Sequence, residues 1–70
     1  MDLSILLKAL QYIGPVTAAI PAVRDLIDTG IAALKGDDQD VAKSAYDDLI
    51  ADNAAGHARL QAKLAEAAKK

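Results

Sequence analysis

Three features of the sequence predict an all-α chain. Alanine supplies 16 of 70 residues and is the best helix former. Large apolar residues recur at spacings of three and four, the period of a helix face. Glycine and proline fall where helices would stop and start. The expected architecture is one helical domain over residues 1–70: a helical hairpin with an additional short N-terminal helix, completed by oligomerisation or by a partner.

The first helix is expected near 3–13, because Gly14-Pro15 puts glycine at a helix end and proline at the first position of the next helix. The second is expected near 16–35. Pro21 lies inside that span, and Thr17 as N-cap would bring it near the first turn, where a missing N–H costs least. Gly36 is expected to end this helix, and Asp37-Asp38-Gln39-Asp40 to form a turn that caps the next. The third helix is expected to run unbroken near 38–68. No proline follows Pro21, aspartates crowd the first half of the span and Arg59, Lys63, Lys69 and Lys70 the second, as a helix dipole prefers. The like-charge pair Asp48 and Asp52 runs against the pattern, and the stretch from Asp52 to Gly56 is the alternative site for a kink or break.

Ile20, Val23, Ile27, Ile31 and Leu34 form a stripe on the second helix, and Ile50, Leu60 and Leu64 lie on a heptad line of the third. A short turn would set the two antiparallel as a hairpin seam. Asn53 and His57 fall within that line and read as a polar pair setting register. The apolar count is lopsided: of the 18 Leu, Ile and Val residues, 13 precede Gly36. Leu3, Leu6, Leu7, Leu10 and Ile13 of the first helix therefore exceed what one lightly apolar third helix can cover, which points to self-association or partner binding through them. The competing arrangement folds the first helix onto the hairpin as a three-helix monomer.

Several function classes lack their chemistry. With no cysteine and a single histidine there is no zinc pattern. The aspartate run at 37–40 lacks the sixth-position glycine and twelfth-position glutamate of a calcium loop. No nucleophile elbow or glycine-rich phosphate loop occurs, so no enzymatic activity and no cofactor are expected. A net charge of −2 without Phe or Trp disfavours nucleic acid. Arg59, Lys63 and Lys70 form a basic face, read as solvated rather than as a phosphate or acidic-partner site. Asp2 and Lys8 interrupt any secretory signal, so a cytoplasmic chain is expected. Ala9–Val23 holds 15 residues without a charge, but Gln11, Gly14, Pro15 and Pro21 break it as a membrane span.

The alanine-rich tail from Asn53 to Leu64, behind an apolar N-terminal run, resembles short uncharacterised α-helical proteins of tailed bacteriophages and prophages. That resemblance implies a small virion-associated or accessory protein, present in many copies or bound to a larger component. The expected function is thus a non-enzymatic structural or assembly protein acting by helix–helix packing. The alternatives are a small membrane-active lysis or pore protein and a small cytosolic regulator.

Overall fold

A computed structural model describes residues 2–69. Those residues form four helices: α1 (Leu3–Ala18), α2 (Pro21–Ala32), α3 (Gly36–Ala51) and α4 (Ala54–Ala68). The all-α class holds, and the expected count of three helices is corrected to four.

Each boundary has a local cause. α1 runs past residue 13 but bends at Gly14, whose φ of 78° and ψ of 170° leave the helical region. Glycine takes this conformation without a Cβ clash, and Pro15 then opens one further turn. Pro21 is the first residue of α2, so Ile20 is the N-cap, and the expected start near 16 with Thr17 as cap is corrected. A proline at that position has no helical N–H bond to lose. α2 ends at Ala32 instead of running on to 35. Gly36 opens α3 instead of closing α2, with Asp37 and Asp38 in the first turn, where acidic side chains favour the helix dipole. The Gln39 side-chain amide donates to the Leu34 carbonyl at 2.9 Å and so seals the connection.

The expected long helix over 38–68 is two helices. Asp52 adopts a left-handed conformation (φ 49°, ψ 51°), and Asn53 is extended, its Oδ1 accepting the Gly56 N–H at 2.7 Å. A left-handed residue other than glycine costs about 1–2 kcal/mol. An asparagine cap contributes about 1 kcal/mol, and the break also takes Asp52 off the helical face it would share with Asp48.

The helices alternate in direction. Leu3 and Ser4 share a cleft with Asp38 and with Ala67 and Ala68, whereas Gly14 and Pro15 share one with Leu49, His57 and Leu60. α1 and α3 therefore run parallel, and α4 runs antiparallel to both. α2 returns from the end of α1 to the start of α3. It flanks the α1–α3 pair on one side and α4 on the other, with no Cα of α2 within 8 Å of a Cα of α4. This makes a flattened body of 28 × 26 × 17 Å.

Leu7, Leu10, Ala18, Ala42 and Ala45 are completely buried. The alanines let α3 approach α1 closely, so they contribute to the core by distance as well as by area. The accessible surface is 4393 Å², against about 4200 Å² expected of a folded monomer of this mass. Folding within one chain thus covers as much as such a chain ordinarily covers.

Candidate functional site

The residues expected to meet another chain lie inside this one. Leu3, Leu6, Leu7 and Leu10 are buried in the core, and Ile13 packs half-buried against it. In this fold they are not available as a self-association surface. The reason is the break at Asp52: it yields two helices from one, and α3 and α4 both cover α1.

The expected seam is redistributed as well. Ile27, Ile31 and Leu34 are buried and Val23 is half-buried, but Ile20 and Ile50 are exposed. Leu60 is buried and Leu64 half-buried in contact with α1 and α3, since the Cα atoms of α2 and α4 stay more than 8 Å apart. A seam of α2 against Leu60 and Leu64 is therefore corrected to two separate interfaces, one on each flank. Asn53 and His57 do not form a register pair in a seam. Asn53 caps α4, and His57 Nε2 lies 3.0 Å from Asp52 Oδ1, both side chains about half exposed.

The strongest polar site is one the sequence reading missed. Asp48, on α3, is buried, and its carboxylate accepts hydrogen bonds from Arg59 Nε at 2.9 Å and from Lys63 Nζ at 2.5 Å, both on α4. Arg59 and Lys63 are four apart, so they share one face of α4 and reach the same acid. The Lys63 hydrogen bond, aided by that of Arg59, holds the Asp48 carboxyl below the usual carboxylate range, against the opposing effect of burial. The basic face is thus turned in part onto its own chain, while Lys70 lies outside the described residues. A signal was present in the i, i+4 spacing of Arg59 and Lys63, but the acid they share became identifiable only once the turn at Asp52 brought α4 back along α3.

Gly56 completes this corner. A Cβ there would sit 2.7 Å from the Asp48 carbonyl oxygen, closer than packed atoms allow, and a tight 3.1 Å from Asn53 Oδ1, so only glycine permits this approach of α4 to α3. Beside it, Gln11, Gly14, Pro15, Leu49, His57, Leu60 and Gln61 line a cleft of about 180 Å³. That is smaller than the roughly 300–1000 Å³ of most ligand sites.

Reactive arrangements are lacking among the described residues. His57 and Asp52 form an acid–imidazole pair, but no hydroxyl is hydrogen-bonded to that imidazole. Ser4 donates to Asp2, Thr29 to the Asp25 carbonyl and Tyr46 to the Ala18 carbonyl. No group of three or more His, Asp or Glu side chains is placed to hold a metal ion. No helix is long and apolar enough to cross a membrane.

Several large apolar side chains remain at the surface. Tyr12 is 91% exposed, Val16 83% and Leu26 73%. The first two belong to the charge-free stretch from Ala9 to Val23. Comparison with known protein families, characterised proteins and solved structures finds no match to this chain.

Proposed function

We propose that this chain is a non-enzymatic helical module that works by packing against protein, either copies of itself or a larger component. The observation that carries this reading is the exposure of Tyr12 and Val16 within 15 consecutive uncharged residues. Large apolar side chains left in water on a chain whose core is already closed gain most from a protein partner. The resemblance of the tail to short phage and prophage proteins supports a virion or accessory assembly as the setting. The proposed contact residues move from the first-helix leucines to Tyr12 and Val16, on either side of the bend at Gly14.

Sedimentation velocity over a concentration series tests this, with the parent chain beside Tyr12→Ser combined with Val16→Ser. The parent is expected to gain mass with concentration and the double variant to gain markedly less, at unchanged helicity. A parent chain that stays monomeric throughout overturns the self-packing form of the reading. Flotation of the parent with anionic phospholipid vesicles, lost in the double variant, would favour the membrane-active alternative instead.

A further inference from the structure

The connection between α3 and α4 is two residues, Asp52 and Asn53. Asp52 is the only residue other than glycine with positive φ among those described, and neither glycine nor proline occupies the turn. All other residues from Gly36 to Ala68 are helical. Two backbone conformations therefore separate the observed hairpin from one continuous helix of about 50 Å. The turn is held from within by the cap of Asn53 on Gly56, the Asp52 N–H donated to the Leu49 carbonyl and the pairing of Asp52 with His57, and no proline or glycine within it forbids the straight form.

α4 is attached so that it can leave as a unit. It packs on α1 and α3, and no Cα of α2 comes within 8 Å of a Cα of α4, so its departure leaves the α1–α2 and α2–α3 interfaces in place. The face it vacates is shaped for Leu60 and carries the buried acid Asp48, which requires two cations four residues apart. The α4 of a second copy meets those requirements, since it carries Leu60 with Arg59 and Lys63 at that spacing.

We propose that this chain dimerises by exchanging α4 with a second copy of itself, Asp52 and Asn53 straightening so that α3 and α4 become one helix. Each α4 then lies on the partner's α1 and α3, where Leu60 is buried again and Arg59 and Lys63 meet the partner's Asp48. The closed and exchanged forms share these contacts and differ mainly at the hinge. Short hinge connections under strain are the usual setting for such exchange. The inference takes its partner, a second copy, from the self-packing form of the assembly reading, on which it rests, but its interface does not use Tyr12 or Val16, so an exchanged dimer is expected to survive Tyr12→Ser combined with Val16→Ser.

Charge reversal separates exchange from any other association. Asp48→Arg in one chain, and Arg59→Asp with Lys63→Asp in another, each set like charges against each other within a monomer. In an exchanged heterodimer both sites are complementary. Each variant refolded alone is expected to lose helicity, and the two refolded together to give a helical 1:1 dimer, read by circular dichroism and light scattering. A mixture that behaves as the sum of its parts overturns the exchange.

Asp52→Gly in the otherwise native chain supplies the second measurement. Glycine accepts the left-handed turn and disfavours the straight helix, so the dimer fraction after refolding should fall roughly tenfold or more. Association that persists undiminished in Asp52→Gly, is lost in the Tyr12 and Val16 variant and has no counterpart in the reversed pair would retain the assembly reading and reject the exchange. Absence of any association in the parent chain would reject both.

Discussion

The two flanks of the α1–α3 pair are held by different physics. α2 brings two large buried side chains, Ile27 and Ile31, and the connection after it brings Leu34, while its polar tie to α3 is peripheral, Arg24 lying over the Tyr46 ring at 6.0 Å. α4 buries one large side chain completely enough to count as core, Leu60. It compensates with the Asp48 ion cluster and the glycine contact at Gly56. Apolar burial is non-directional and tolerates some sliding, whereas a shared carboxylate and a glycine-only approach define a register. An alanine-rich helix too poor in large side chains to be held by burial alone is thereby seated in one position.

The largest effect is expected on the α2 flank. Ile31→Asp would force an unpaired charge into the core at a cost of at least about 4 kcal/mol, comparable to the whole stability of a domain this small. Circular dichroism should find the variant unfolded at room temperature. Retained helicity with an unchanged melting temperature would show that α2 is dispensable to the core and would remove the contrast.

Asp48→Asn should cost less, about 1–3 kcal/mol, because Arg59 is half exposed and can return to water. Its signature is pH dependence. The folded-state pKa of Asp48 is depressed, so its contribution is fully present above the unfolded carboxylate pKa, near pH 4, and is lost as pH falls through the lower folded value. The difference in melting temperature between parent and variant should therefore be constant near neutrality and shrink below about pH 4. A difference that persists unchanged at pH 2 would mean that packing rather than charge seats α4.

The smallest effect belongs to Tyr46→Phe, which removes one hydrogen bond to the Ala18 carbonyl while keeping the ring, for about 0.5–1.5 kcal/mol. Chemical denaturation should show this loss at an unchanged m-value, as expected when the α1–α3 pair is held chiefly by its apolar residues. A loss as large as that of Asp48→Asn would put within that pair a polar anchor as strong as the one that seats α4, and α4 would no longer stand apart.

Helical character and most points of punctuation can be traced to local residues: Gly14 bends α1, Pro21 begins α2 and the aspartates gather in the first turn of α3. These are properties of single residues and their immediate neighbours, where φ preference and capping act whatever the rest of the chain does. The break at Asp52 was legible only as a soft stretch. No helix breaker occupies it, and its left-handed turn is favoured by contacts that form after α4 folds back.

From that one turn follow the features that only tertiary structure decided. It lets α3 and α4 shelter the α1 leucines that a count of large apolar residues left uncovered. It places Asp48 between Arg59 and Lys63, eleven and fifteen residues ahead, and gives Gly56 a close-packing role in place of a flexible one. Periodicity identifies the face a helix will bury but carries no record of which neighbour buries it, because that choice depends on how closely two backbones can approach. Here Ala42 and Ala45, too small to register as core in a count of apolar bulk, are completely buried and leave room for a close approach.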